Sequence, residues 1–88
     1  MIFISLIKNR QKLTKQLLAE NQKLFEKESK EGIKYLGIYY TLGRYDTVAI
    51  SEAPDEKTAM KIAMRRGHML ATETLVAIPA EEARKLVE

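Results

Sequence analysis

Cysteine is absent from the 88-residue chain, which removes disulfides, thiolate nucleophiles and thiolate metal sites together. That absence fits an intracellular protein, and nothing in the sequence calls for an oxidising compartment. Histidine occurs once, as His68. Without a His-x-x-x-His or Glu-x-x-x-His spacing it anchors no metal site, and a structural or solvent-facing role outweighs a general acid/base role. Ser5, Ser29 and Ser51 lack a nucleophile-elbow context, and no phosphate loop or dinucleotide glycine pattern occurs, so no cofactor is expected. Long apolar runs are missing too. Met1–Ile7 is too short to span a bilayer, no basic region precedes it and no small-residue cleavage site follows. It reads as the first strand of a cytoplasmic protein that has no membrane partner.

Acidic residues do not occur before Glu20, while Lys8, Arg10, Lys12 and Lys15 crowd the end of that strand and the start of the next element. If the next element is a helix, its N-terminal amides add to the same positive field, which makes Lys8, Arg10 and Lys12 a candidate anion-binding group. A solvated basic helix start is the simpler account. The whole-chain charge of +3 is modest where 31% of residues are charged, and it gives no reason to expect direct nucleic-acid binding.

What is present is a regular alternation between two apolar periods. Residues 2–8 read as a strand; residues 10–31 carry Leu13, Leu17, Leu18, Leu24 and Phe25 at helical spacing, and Gly32 follows as a stop. Residues 33–42 and 47–53 form a hairpin whose turn is built on Gly43 and Asp46. Pro54-Asp55 offers a breaker and an N-cap for a helix that ends at Gly67, with Arg65 and Arg66 complementing the dipole in its last turn. Residues 70–78 give a fourth strand, Pro79 punctuates, and Ala80–Val87 adds a short helix. The chain is one domain, residues 1–88, of α+β class: a βαββαβ antiparallel sheet with its helices on one face. The bulky side of strands two and three (Leu36, Ile38, Leu42, Val48, Ile50) is expected under the helices. The small and aromatic side (Tyr35, Gly37, Tyr39, Thr47, Ala49, Ser51) is expected against a second copy.

The string Thr41-Leu42-Gly43-Arg44-Tyr45-Asp46 resembles the signature of the GYD-domain family. The likeness is strongest over Ile38–Pro54, extends through Ile50-Ser51-Glu52-Ala53-Pro54-Asp55, and returns at Thr72-Glu73-Thr74-Leu75; Ile4-Ser5-Leu6 also fits, whereas Lys8–Leu13 departs from the family pattern. The resemblance implies a ferredoxin-like fold that pairs as a dimeric α/β barrel, hence a homo-oligomer, a dimer or a multiple of dimers.

The polar residues that remain as pocket or interface candidates are Tyr39, Tyr40, Thr41, Arg44, Tyr45, Asp46, His68 and Glu73. Asp46 reads first as a backbone acceptor in its turn, Tyr45 as a residue packing on a partner subunit, and Glu73 as a carboxylate whose partner is Arg44 or a lysine. Two functional classes stay open. One is a non-enzymatic module that binds a small molecule or protein, in keeping with the similarity of Gly43-Arg44-Tyr45-Asp46 to a hairpin of the effector-sensing domains of the leucine-responsive regulators. The other is a cofactor-independent enzyme, monooxygenase-, isomerase- or decarboxylase-like, on the same barrel. The shortage of groups for chemistry favours binding.

Overall fold

The computed structural model describes residues 1–88 and shows seven elements: β1 (Ile2–Asn9), α1 (Lys15–Lys30), β2 (Lys34–Tyr40), β3 (Thr47–Glu52), α2 (Glu56–Arg65), β4 (Leu70–Ala77) and α3 (Ala80–Lys85). The strands form one antiparallel sheet in the order β2-β3-β1-β4, with β1 paired to both β3 and β4. This is the ferredoxin-like arrangement, with both long helices on one side of the sheet. No helix is long and apolar enough to cross a membrane.

The helix boundaries follow from their caps. α1 starts five residues later than the apolar spacing alone proposes, because Thr14 caps it: the Thr14 hydroxyl accepts from the Leu17 amide at 3.1 Å. Residues 10–13 instead strap the end of β1 to the turn before β4, through the Arg10 amide on the Met69 carbonyl and the Gln11 side chain on the His68 carbonyl. At its other end α1 closes with the Ile33 amide on the Glu28 carbonyl and the Gly32 amide on Ser29, the paired bonds of a Schellman motif. Asp55 caps α2 by accepting from the Thr58 amide and hydroxyl, both at 2.8 Å, and these bonds hold its carboxyl below the usual range.

On β3, and at Tyr35 of β2, the faces of the sheet are opposite to the sequence expectation, whereas Ile38 and Tyr39 lie on the expected sides. Thr47, Ala49, Ser51 and Ala53 lie under the helices with Phe3, Ser5 and Ile7, while Val48 and Ile50 pair with Leu6 and Ile4 on the uncovered face. A register shift between Tyr35 and Gly37 accounts for Tyr35: the bulge at Leu36 brings it to the helix side together with Ile38 and Tyr40, and Tyr39 stays outside. A count of alternation that ignores an inserted residue assigns the wrong side to everything on one side of it.

The closed part of the core is small: Phe3, Ile33 and Ala53, packed against Tyr35, Ala59 and Ile62. Beside it a polar lock joins α1, α2 and β2. Glu28, with no exposed surface, receives Arg66 Nε at 2.7 Å and Nη2 at 3.0 Å, and the Tyr35 hydroxyl at 2.7 Å. The Arg66 Nη1 donates to Asn21, and the guanidinium lies 4.9 Å from the centre of the Phe25 ring. Arg66 is therefore an interior residue, and complementing the helix dipole is the lesser part of its work. Burial, and then the bond to Glu28, pushes the Tyr35 phenol well above its ordinary range, so it stays a donor.

Candidate functional site

Away from that lock the helices ride off the sheet and leave a cleft of about 140 Å³. Its floor is built from the helix-side residues of the strands: Ser5, Thr47, Ala49, Ser51, Thr72 and Thr74. Its roof comes from Leu17, Phe25 and Ile62 of the helices, and Met69 closes it near the start of β4. Asn9, Leu13, Leu18, Ile38 and Tyr40 line it while remaining exposed, and so mark where it opens. Small side chains on a sheet cannot fill the depth to a helix layer, so the cleft is a direct consequence of the reversed faces.

The floor is chemically distinctive. The protein's hydroxyl hydrogen bonds are made by Thr14, Thr41, Thr58, Tyr35 and Tyr45. Ser5, Ser51, Thr47, Thr72 and Thr74 are not among them, and no sealed polar side-chain atom lacks a partner, so these five hydroxyls reach open space. Arg66 is the one charged side chain in the lining; it gives three hydrogen bonds to Glu28 and Asn21, and its charge is paired with the Glu28 carboxylate.

The residues singled out from the sequence fall into three places. Tyr40 lines the cleft mouth. Thr41, Arg44, Tyr45 and Asp46 build the β2–β3 loop, which folds onto the end of β1: the Asp46 carboxylate accepts from the Asn9 amide at 2.7 Å, the Asp46 amide donates to the Ile7 carbonyl, and the Thr41 hydroxyl donates to the Tyr45 carbonyl. Tyr45 finds its partner within the same chain, donating to Glu73 at 2.9 Å, with the Arg44 guanidinium 5.6 Å from its ring centre. The bond to Glu73 raises the Tyr45 phenol above its ordinary range. Glu73 pairs across the sheet with Leu6 on the uncovered face, and Tyr39 is on that face too, its ring over Gly37 so closely that a methyl there would stand 2.9 Å from Cε2. His68 is far from a shared centre with these groups, bonded at 2.9 Å to Glu20 on the surface.

The basic group is likewise divided. Lys8 continues the outward row of Ile2, Ile4 and Leu6, whereas the Arg10 Nε is spent on the Leu70 carbonyl at 3.2 Å; Lys12 is exposed on the connection between β1 and α1.

The Gly43-Arg44-Tyr45-Asp46 loop, docked on β1 and reaching β4, is the feature that joins the fold to a known family, and the GYD domain matches the chain over residues 5–87. The chain belongs to the GYD-domain family. Among curated proteins, none matches it. In this GYD domain the signature loop serves the architecture, and the cleft lies apart from it under the helices. Sequence reasoning passed over the cleft because its signal is a shortage of bulk: small residues at alternate positions of β3 (Thr47, Ala49, Ser51), at Thr72 and Thr74 of β4 and at Ser5 of β1, where large ones are usual.

Proposed function

We propose that this GYD-domain protein is a cytoplasmic homo-oligomeric module that holds a small molecule, without transforming it, in the cleft between helices and sheet of each subunit. The observation that carries this reading is the cleft itself: apolar walls, a floor of hydroxyls with no partner in the protein, and an opening at Tyr40 and Leu13. Its lining offers hydroxyls and amides but neither a carboxylate nor an imidazole, which supports binding ahead of acid/base chemistry. Self-association is supported by the opposite face, where Ile2, Ile4, Leu6, Val48, Ile50 and Leu75 form an apolar surface that a second copy would cover, sheet against sheet, as a dimeric α/β barrel.

Native mass spectrometry of the purified full-length protein tests both parts. A dimer carrying a non-covalent mass that is missing from Ala49→Leu, whose larger side chain occupies the cleft, is the expected result. Identical, ligand-free spectra for the two proteins overturn the binding role; a monomer at micromolar concentration overturns the assembly.

A further inference from the structure

Three features of the cleft restrict what fits inside it. Its volume, about 140 Å³, is close to the roughly 150 Å³ of an apolar protein cavity that holds one benzene molecule. Its floor is lowest at the small residues Ser5, Ala49 and Thr74, bordered along β1 by Phe3 and Ile7, under a roof of Leu17, Phe25 and Ile62. The space suits one planar ring. The third feature is the distribution of oxygen. Strand register sets Ala49, Ser5 and Thr74 side by side, with Thr47, Ile7 and Thr72 in the next row and Ser51 beside Phe3 in the row before. Ser5 thus has Thr74 directly beside it, about 5 Å away, and Thr47, Thr72 and Ser51 at the diagonals, about 7–8 Å away. A ring lying on this floor meets hydroxyl groups along its edge, each free to donate or accept.

Charge narrows the class again. The guanidinium of Arg66 is bound on both sides, to Glu28 and to Asn21, so a charged ring substituent buried in the cleft meets no free counter-charge and loses its hydration uncompensated. We propose that the cleft takes a neutral, single-ring phenolic molecule, its ring between the small-residue floor and the apolar roof and its hydroxyl hydrogen-bonded to the Ser5 group. This assignment rests on the reading of the cleft as a ligand site and adds the chemistry it selects.

Fluorine NMR titrations of the full-length protein with 4-fluorophenol, fluorobenzene and 4-fluorobenzoate test it. The expected result is saturable binding of 4-fluorophenol about tenfold tighter than fluorobenzene, the scale of one net hydrogen bond, with 4-fluorobenzoate weakest. In the double variant Ser5→Ala/Thr74→Val the phenol loses that advantage while fluorobenzene binding is unchanged; in Ala49→Leu both are lost at an undiminished Tm. Equal affinities for 4-fluorophenol and fluorobenzene overturn the phenolic assignment and leave the cleft a ligand site. Tighter binding of 4-fluorobenzoate overturns the requirement for neutrality. No binding of any of the three overturns this assignment together with the cleft's role.

Discussion

At the centre of the sheet the two faces differ in size: small side chains lie toward the helices and large aliphatic ones on the side without helices, with Phe3, Ile7, Tyr35 and Ile38 the bulky residues of the helix side. Under α1 and α2 lie Ser5, Thr47, Ala49, Ser51, Thr72 and Thr74; on the other face lie Ile2, Ile4, Leu6, Val48, Ile50 and Leu75. An antiparallel sheet with one solvated face ordinarily sends its bulk toward the covering layer. Here the helix side is left under-filled and the outer side under-covered. On the proposed reading both deficits would be met from outside the single chain, by a small molecule on one side and a second copy on the other, which would make the fold a platform for two kinds of contact.

The helix side must then be held by something other than dense packing, and the Glu28–Arg66 lock is what holds it. The largest effect is expected from Arg66→Met, which strands the fully buried Glu28 carboxylate with Tyr35 alone. Loss of one member of a buried pair costs about 3–5 kcal/mol, a large share of the stability of a small domain. Urea unfolding should show it, and Glu28→Leu/Arg66→Met should recover most of the loss because no charge remains inside. A single variant within about 1 kcal/mol of wild type would place the hold on the helices elsewhere.

Next in size is the effect of Ile4→Lys on the outer face. A lysine there, in the middle of the face a second copy would cover, should weaken self-association roughly 100-fold or more, whereas Ser5→Ala, one residue along and on the helix side, should leave it unchanged. Sedimentation equilibrium reads both. A drop for Ser5→Ala and none for Ile4→Lys would exchange the roles of the faces.

Most of the fold is legible in the chain: the period changes place all seven elements, and Asp55 and Gly32 mark ends as capping chemistry requires, while the Thr14 cap that starts α1 went unread. The faces were not legible, because periodicity says which residues share a side and leaves open which side the helices take. Crossover handedness settles the side only once the register is known, and the bulge at Leu36 is marked in the sequence only by the neighbouring Gly37. The candidate site was read in the signature loop because polar and aromatic residues draw notice there. The cleft is made of serines, threonines and alanines whose meaning comes only from the space above them. Arg66 shows the same limit. An arginine at a helix end satisfies a local rule, and only the three-dimensional approach of Glu28, Asn21 and Phe25 makes it an interior residue.

The β2–β3 loop ties the two faces together at one end, since Asp46 binds the Asn9 amide beside the cleft mouth while Tyr45 binds Glu73 on the outer face. Gly43 allows that turn with φ +100°, and no atom lies within 4 Å of the position a Cβ would take. Backbone strain alone is therefore at stake in Gly43→Val, at a cost of about 1–2 kcal/mol. Arg44→Ala, which removes only the contact over the Tyr45 ring, should lower the Tm less. Equal melting temperatures for Gly43→Val and wild type would show that the loop reaches both faces without this conformation.

The smallest effect is expected one turn along α1 from the lock, where Glu31 meets Arg65 at 2.6 and 2.9 Å and Lys61 at 2.6 Å. These groups are partly in water, so the pair contributes little at neutral pH where Glu28–Arg66 contributes much. It has a distinct pH signature. The hydrogen bonds from Arg65, and then those from Lys61, lower the Glu31 carboxyl from its ordinary 4.5 to about 2. A carboxylate depressed in the folded state adds stability that is complete above the unfolded value and disappears as pH falls through the folded one. The Tm difference between wild type and Glu31→Gln should therefore be constant above about pH 5 and close between 4.5 and about 2. A difference that persisted below that window would assign the benefit of Glu31 to packing; one confined to higher pH would assign it to a different titrating group.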